Sequence, residues 1–263
     1  MADERRWALV LGASSGFGEA TSLELARAGY DIIGVHLDRK STMPHVEDVI
    51  GGIRAHKRAA VFFNVNAADP ERRVEVLARA REEAGSGGSV TVLLHSLAFG
   101  NLRPYIAESA EESITPAQMD MTLSVMAHSL VYWTQDLVYS GLMRKGGKIF
   151  AMTSAGAMRV LPNYGAVSAA KAALESHIRQ LAMELAPRGI AINGIRAGVT
   201  DTPALRKIPG NAAIVETAMR RNPSGRLTTT EDVARAIAVL CQPGTSWITG
   251  NVIGVDGGEE VVG

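Results

Sequence analysis

The sequence predicts an α/β fold in which a doubly wound, parallel, seven-stranded sheet forms a single domain. Seven short apolar runs alternate with longer helical patterns along the 263 residues. These runs are continuously apolar, which is typical of parallel strands buried on both faces. No linker rich in proline and glycine divides the chain, so we expect one domain over residues 1–263.

The order of the elements gives the fold class. The predicted strands are residues 7–11, 32–37, 60–65, 90–95, 148–153, 190–196 and 251–256. The predicted helices are residues 18–28, 46–56, 70–84, 116–143, 164–186, 212–221 and 230–241. Strands that alternate with helices in this way form a parallel sheet, and ligands then bind at the carboxyl ends of the strands.

One connection, at about residues 200–223, is longer than most connections in a compact domain. It contains Pro203, Pro209 and Pro223, together with apolar residues that could cover an apolar ligand. Two interpretations stay open. The segment is either a lid over a substrate or an ordinary helical insertion packed on the core.

Composition excludes several classes of protein. The chain has 27 lysines and arginines and 27 aspartates and glutamates, so its formal net charge is zero. This balance argues against nucleic-acid binding and against a polybasic membrane surface, and no segment is apolar enough to predict integral membrane association. Cys241 is the only cysteine, so an internal disulfide is excluded and a reducing, cytoplasmic location is expected. The six histidines show no metal-ligand spacing, so we predict no metal.

A glycine-rich turn lies between the first strand and the first helix, where residues 11–18 read Leu-Gly-Ala-Ser-Ser-Gly-Phe-Gly. Glycines here allow a tight turn, admit a pyrophosphate against the backbone and let the helix approach the sheet. The N–H groups at the start of the helix can then hold the phosphates. The residues predicted to bind a dinucleotide at this turn are Gly12, Ser14, Ser15, Gly16, Phe17 and Gly18.

The end of the second strand bears on the choice between NADH and NADPH. Asp38 lies 20 residues after Gly18, near the offset expected of an acidic residue that binds the adenosine ribose. Alternatively, His36 lies at the ribose and Arg39 faces a 2′-phosphate. The pattern favours NADPH and leaves NADH open.

Three further residues predict chemistry. Ser154 follows the fifth strand, Tyr164 comes ten residues later, and Lys171 follows Tyr164 by seven residues. Seven residues of helix rotate by ~700° and rise by ~10.5 Å, so Tyr164 and Lys171 lie on one face. A nearby lysine cation favours the ionised form of a tyrosine, so we expect a lowered pKa for Tyr164 and a role as proton donor.

These motifs resemble the short-chain dehydrogenases/reductases over residues 7–258, which implies a Rossmann fold. Most carbonyl reductases of that superfamily place a tyrosine four residues before the lysine, where this chain has Val167. The Tyr164-x6-Lys171 spacing instead resembles the enoyl-acyl-carrier-protein reductases. So does the His-Ser-Leu-Ala-Phe run at residues 95–99.

The resemblance also implies the roles of individual residues. Ser154 stands where the main enoyl reductase class has a second tyrosine, and it matches the catalytic serine of carbonyl reductases. Together with Tyr164 and Lys171, it resembles a branch of enoyl reductases that typically uses NADPH. Asn64 replaces an aspartate that commonly contacts adenine. The cofactor contacts implied by the resemblance are Asn64, Val65, Ser96, Leu97, Ala98, Lys171, Gly198, Thr200 and Thr202.

The resemblance implies NAD(P)H-dependent reduction of trans-2-enoyl thioesters, carried by acyl-carrier protein or CoA, in fatty-acid elongation. It also implies a homotetramer built through the two longest predicted helices. Two alternatives stay open. One is a carbonyl reductase that uses Ser154 and Tyr164 on a ketone or a 3-oxoacyl thioester, and the other is a non-catalytic regulator that binds a dinucleotide.

Overall fold

A computed structural model describes residues 5–85 and 87–262. Within these ranges, the strands form one parallel sheet in the order β3-β2-β1-β4-β5-β6-β7. The strands are β1 Arg6–Leu11, β2 Asp31–His36, β3 Ala60–Asn64, β4 Ser89–His95, β5 Lys148–Thr153, β6 Ala191–Ala197 and β7 Val252–Val255. The predicted seven-stranded, doubly wound, single-domain fold is confirmed.

Helices cover both faces of the sheet. They are α1 Gly16–Arg27, α2 Met43–Ala55, α3 Pro70–Ala84, α4 Pro116–Leu123, α5 Ser129–Tyr139, α6 Gly165–Leu185, α7 Asn211–Arg221 and α8 Thr230–Leu240. One apolar core lies between the sheet and α3, α5 and α6, and a second lies between the sheet and α1, α2 and α8. Because both faces are covered, β1, β2, β4, β5 and β6 consist mainly of buried residues, as the continuous runs predicted, while the edge strands β3 and β7 are only partly buried.

The strand order reverses at β1, which lies between β2 and β4. The segments that follow β1 and β4 therefore turn to opposite faces of the sheet and open a crevice at its carboxyl edge. Two hydrogen bonds fix the mouth of this crevice. Gly12 N donates to Val35 O at 2.8 Å, and Ser96 N donates to Leu11 O at 2.9 Å.

The prediction of a single helix over residues 116–143 is wrong in detail. This region consists of α4, a π-helical turn over Ser124–His128, and α5, which ends at Tyr139. The Ser129 hydroxyl donates to Val125 O at 2.7 Å and so supports the turn. The chain reverses at Gly141, whose φ of 72° is a left-handed conformation that ends the helix.

The connection at residues 200–223 is folded rather than extended. It contains a short 3-10 turn, Leu205–Lys207, followed by α7. Asp201 and Arg206 form a two-point ion pair, with both N···O distances at 2.8 Å. No helix in residues 5–85 or 87–262 is long and apolar enough to cross a membrane.

Candidate active site

A cavity of about 520 Å³ opens at the carboxyl edge of the sheet, and most of the predicted site residues line it. Its walls come mainly from the segments that follow β1, β2, β3, β4, β5 and β6 and from the start of α6. The predicted residues on these walls are Gly12, Ser14, Ser15, Gly16, Phe17, His36, Val65, Ser96, Leu97, Ala98, Ser154, Tyr164, Lys171, Gly198, Thr200 and Thr202. Those that lie outside the walls are Gly18, Asp38, Arg39 and Asn64.

The turn after β1 has the form of a phosphate cradle. Gly12 has a φ of 88°, and a Cβ there would collide with the carbonyl oxygen of Ser96. Gly18 packs in the same way against the carbonyl oxygen of Gly12, which brings α1 close to the sheet. Ser15 is the extended residue before α1, and it lines the cavity with Gly16 and Phe17, so the N-terminus of this helix opens on the cavity. Small residues and free N–H groups at a helix start fit a dinucleotide pyrophosphate.

The side chain of Asn64, which was predicted to contact adenine, forms hydrogen bonds within the protein instead. Its Oδ1 accepts from Asp38 N at 2.9 Å, and its Nδ2 donates to Asp38 O at 3.0 Å. The amide therefore clamps the backbone after β2, and Val65 provides the cavity wall instead. An amide, which both donates and accepts, suits this clamp better than an aspartate would.

The side chain of Asp38 lies behind the cavity wall. Its Oδ1 accepts from the Thr42 hydroxyl at 2.7 Å, and its Oδ2 lies 3.0 Å from Nδ1 of His36. Burial alone would raise the pKa of this carboxyl, but hydrogen bonds from Ser14, Thr42 and His36 lower it overall. Asp38 is therefore a carboxylate at neutral pH, while Arg39 is exposed on the following turn.

Ser154 and Tyr164 meet at one wall of the cavity. The Ser154 hydroxyl oxygen accepts from Gly156 N at 3.1 Å, which starts the 3-10 turn Ala155–Ala157. The ring of Tyr164 packs on Gly156, where a Cβ would stand 2.6 Å from Tyr164 Cε1. Gly156 is a site residue that the sequence reasoning missed, because its contact partner lies eight residues along the chain.

The expected lowering of the Tyr164 pKa by Lys171 is wrong. Burial raises the pKa of Tyr164, and a hydrogen bond from the Ser154 hydroxyl offsets part of this increase. Desolvation of the phenolate outweighs the effect of the neighbouring groups. Tyr164 is therefore a protonated phenol at neutral pH and can donate a hydrogen bond or a proton.

Lys171 is buried where α6 crosses β5. Its Nζ donates to Met152 O at 2.7 Å, and Thr153 holds Glu175 of the next turn through a 2.7 Å hydrogen bond. Burial lowers the pKa of Lys171 to about 8, although the carboxylate of Glu175 acts in the opposite direction. A lysine with this pKa is mostly charged at pH 7 and can bind ribose hydroxyls.

His95, the last residue of β4, is neutral. Burial and the charge of Lys171 lower its pKa to about 3. Its Nε2 lies 2.8 Å from the Ser129 hydroxyl, so the imidazole ties β4 to the helix after the π-helical turn. His95 thus supports the wall formed by residues 96–98.

The segment after β6 provides another wall. The Thr200 hydroxyl donates to Gly198 O at 3.0 Å, and Thr202 Oγ1 accepts from Leu205 N at 3.2 Å. Both threonines line the cavity. Within the part of the chain that the structure describes, no three His, Cys, Asp or Glu side chains form a group that could hold a metal ion.

Four charged residues on the cavity wall were missed: Arg159, Lys207, Glu259 and Glu260. Glu259 Oε2 accepts from Val199 N at 3.0 Å, and burial raises the pKa of this carboxyl. The motif resemblance ends at Gly258, so no local pattern marked the residues that follow. Their position at the cavity is evident only from the structure, in which Glu259 and Glu260 line the wall.

Comparison with known proteins identifies the family. The family profile described as Enoyl-(Acyl carrier protein) reductase matches residues 12–260. The chain belongs to this family of short-chain dehydrogenases/reductases. The resemblance drawn from the motifs is confirmed, and the chain is a member of an oxidoreductase family.

Two curated relatives of this short-chain dehydrogenase/reductase illustrate the range of the family. This chain is 29% identical to the 1-cyclohexenylcarbonyl-CoA reductase of Streptomyces collinus, over 99% of this chain and 89% of that protein. It is 34% identical to the enoyl-acyl-carrier-protein reductase (NADH) FabI of Aquifex aeolicus, over 67% of this chain and 64% of that protein.

Solved structures agree with this assignment. The crystal structure of the Aquifex enzyme has a TM-score of 0.85 and 26% identity, and covers 99% of this chain and 98% of its own. A short-chain dehydrogenase from Burkholderia cenocepacia in complex with NADP has a TM-score of 0.81 and 27% identity, with 98% of each chain covered. These neighbours and the cradle at α1 support a nicotinamide dinucleotide as the cofactor.

Proposed function

We propose that this chain is an NAD(P)H-dependent enoyl thioester reductase that acts on trans-2-enoyl groups carried by acyl-carrier protein or CoA in fatty-acid elongation. The observation that carries the proposal is the position of the hydroxyl on the α6 wall. Val167 lines the cavity four residues before Lys171, and the hydroxyl comes from Tyr164, seven residues before Lys171.

This position suits conjugate reduction. In ketone reduction, hydride adds to the carbon that bears the oxygen. In enoyl thioester reduction, hydride adds to the β-carbon, and charge develops on the thioester oxygen further along the molecule. Moving the donor back by three residues shifts it by ~4.5 Å along the helix axis, which is the direction that the enoyl substrate requires.

The protein groups then have distinct tasks. When bound, the reduced nicotinamide supplies the hydride. Tyr164 donates a hydrogen bond to the thioester oxygen and stabilises the enolate as charge develops there, and uptake of a proton at the α-carbon then gives the saturated thioester. Ser154 holds the phenol in place. Lys171 binds the nicotinamide ribose, and the N-terminus of α1 binds the pyrophosphate.

The rest of the cavity suits an acyl chain. Apolar side chains from the loop after β4, α4, the π-helical turn, the loop before α6 and the 200–223 segment form its wall and exclude water from the reacting carbons. These are Leu102, Met121, Met126, Leu161, Ile208 and Ile214. We assign the 200–223 segment as the substrate lid, because two of these residues belong to it.

The test follows the absorbance of NADPH, and separately of NADH, with crotonyl-CoA and a longer trans-2-enoyl thioester. A matched assay uses acetoacetyl-CoA. Oxidation with enoyl substrates alone supports the proposal and identifies the preferred cofactor. Oxidation with the ketone alone favours the carbonyl reductase, for which Ser154 is the supporting observation. Cofactor binding without turnover on any substrate favours the regulator.

The homotetramer and the cytoplasmic location stay predictions. The helices expected to form the subunit contacts carry exposed apolar side chains, which suit a contact between copies. They are Tyr132 and Tyr139 on α5 and Met183 on α6. Sedimentation analysis of the purified protein tests the oligomeric state.

A further inference from the structure

Arg159 is a cation on the cavity wall that the proposed chemistry does not use. It lies between Ser154 and Tyr164 in sequence, and its backbone N–H donates to Ala155 O at 2.9 Å, which folds the loop back. Its side chain is 39% exposed, so the guanidinium lies where the cavity meets solvent. Its Nη2 is 3.1 Å from Oε2 of Glu260, whose side chain is only 11% exposed.

The chain end presents Glu260 to Arg159. Residues 256–262 are anchored at several points. Glu259 accepts from Val199 N, Asn222 Nδ2 donates to Asp256 O at 2.9 Å, and Arg221 Nη2 donates to Val262 O at 2.8 Å. Glu260 is therefore held at the cavity by its neighbours and not by Arg159 alone. Its carboxylate can exchange for another anion without unfolding the segment.

The guanidinium has capacity for a second anion. Arginine has five N–H donors in a planar arrangement that matches two oxygens of a carboxylate or phosphate. The ion pair with Glu260 uses one terminal nitrogen, and no other acidic side chain among residues 5–85 and 87–262 pairs with Arg159. A tetrahedral phosphate could displace one carboxylate oxygen and bind two donors.

The proposed substrate brings one such group. Tyr164 fixes the thioester oxygen inside the cavity, so the carrier arm must leave through the mouth. Pantetheine is neutral from the thioester to its phosphate, so that phosphate is the first anion that a cation along the exit can meet. Both CoA and acyl-carrier protein carry this phosphate.

We propose that Arg159 binds the phosphate of the pantetheine arm, and that Glu260 occupies the guanidinium until the substrate enters. This inference rests on the proposed function, since a carrier-linked thioester supplies the phosphate. Arg159 is then a specificity-determining residue that distinguishes phosphorylated carriers from simple thioesters.

The test compares three substrates with one acyl group: crotonyl-CoA, crotonyl-4′-phosphopantetheine and crotonyl-N-acetylcysteamine. Arg159→Gln should raise KM for the two phosphorylated substrates by about 10- to 100-fold and leave kcat unchanged, because it removes a charge-assisted contact. KM for crotonyl-N-acetylcysteamine should not change. Glu260→Gln should lower KM for the phosphorylated substrates, because it removes the competing carboxylate.

The control is Arg144→Gln, which removes the same charge from an exposed residue before β5, at the opposite edge of the sheet. It should leave all three KM values unchanged. An equal effect of Arg159→Gln on all three substrates, or no effect on any, overturns the inference. An effect on crotonyl-CoA alone also overturns it, because the anion is then at the nucleotide end of the coenzyme.

A binding measurement separates this inference from the proposed function. If the wild-type protein reduces none of the three thioesters, the proposed function fails. Calorimetric titration with 4′-phosphopantetheine and with pantetheine still decides the role of Arg159. Tighter binding of the phosphorylated compound to the wild type, lost in Arg159→Gln, supports the site. Equal binding of both compounds to both proteins overturns it.

Discussion

The ring of Tyr164 packs directly on the backbone of Gly156, so that a Cβ at position 156 would stand 2.6 Å from Tyr164 Cε1. The same Cβ would lie 3.3 Å from Ser154 Oγ, and Gly156 N donates to that oxygen at 3.1 Å. One glycine thus positions both hydroxyl groups of the site. Carbon atoms at 2.6 Å overlap strongly, because favourable contacts lie at about 3.5–4.0 Å.

The variant Gly156→Ala should therefore lower kcat by about 10- to 100-fold, since small displacements of a reacting group carry this penalty. The dissociation constant of the cofactor should change little, because the cradle at α1 lies on a different segment. Steady-state kinetics and fluorescence titration measure the two quantities.

Gly51→Ala is the matched control for this variant. Gly51 is exposed within α2, and a Cβ there would meet no atom within 4 Å. Activity should stay at the wild-type value, and stability should rise by about 0.5–1 kcal/mol, because alanine is the better helix former. A wild-type kcat for Gly156→Ala would show that the packing of Tyr164 on Gly156 does not position the phenol.

The hydroxyl groups of Tyr164 and Ser154 should contribute unequally to kcat. Tyr164→Phe removes the donor that meets the developing charge and should lower kcat by about 100- to 1000-fold at unchanged cofactor affinity. Ser154→Ala should cost about tenfold with an enoyl thioester, because Ser154 acts through Tyr164. Kinetics with crotonyl-CoA measure both losses. A larger loss for Ser154→Ala than for Tyr164→Phe would show that the serine contacts the substrate itself.

Local patterns predicted those parts of the site that depend on neighbours in sequence. The cradle from Gly12 to Gly18 and the pair Tyr164 and Lys171 follow from spacing within one turn or one helix. The role of Gly156 could not be predicted in this way, because its contact with Tyr164 depends on how the irregular loop between them folds. The role of Glu260 depends on a contact with Arg159 that forms only when distant segments meet. The π-helical turn after α4 also lacked a signal, since no proline or glycine marks it.

The position of Asp38 also required the structure, and it bears on cofactor choice. Its ionised carboxylate is hydrogen-bonded to Ser14 of the cavity wall, so we expect like-charge repulsion to disfavour the 2′-phosphate of NADPH. Asp38→Asn keeps an acceptor for Thr42 and removes the charge. The ratio of kcat/KM for NADPH to that for NADH should rise by about tenfold.

The control for this prediction is Glu47→Gln, which removes a charge from an exposed residue of α2. It should leave the ratio of kcat/KM values for the two cofactors unchanged. If Asp38→Asn also leaves that ratio unchanged, the carboxylate is too far from the 2′-position to select between the cofactors. Parallel assays with NADPH and NADH at one enoyl thioester concentration are sufficient.

Lys171 should make the stability of the cofactor-free protein depend on pH. Burial lowers its pKa in the folded state from 10.5 to about 8. Between these values the unfolded chain binds more protons than the folded chain, so the free energy of unfolding rises with pH. The gain, relative to Lys171→Met, should approach about 3 kcal/mol between pH 7 and pH 10.5.

Urea unfolding of both proteins at a series of pH values measures this gain. At pH 7 the wild type bears the cost of a buried ammonium whose Nζ has the carbonyl of Met152 as its hydrogen-bond partner, so Lys171→Met should be the more stable protein. The difference should shrink as pH rises through 8, because the folded wild type then loses the proton. Lys145→Met, at an exposed position, is the control and should follow the wild-type trend. Parallel curves for the wild type and Lys171→Met would mean that Lys171 titrates alike in the folded and unfolded states.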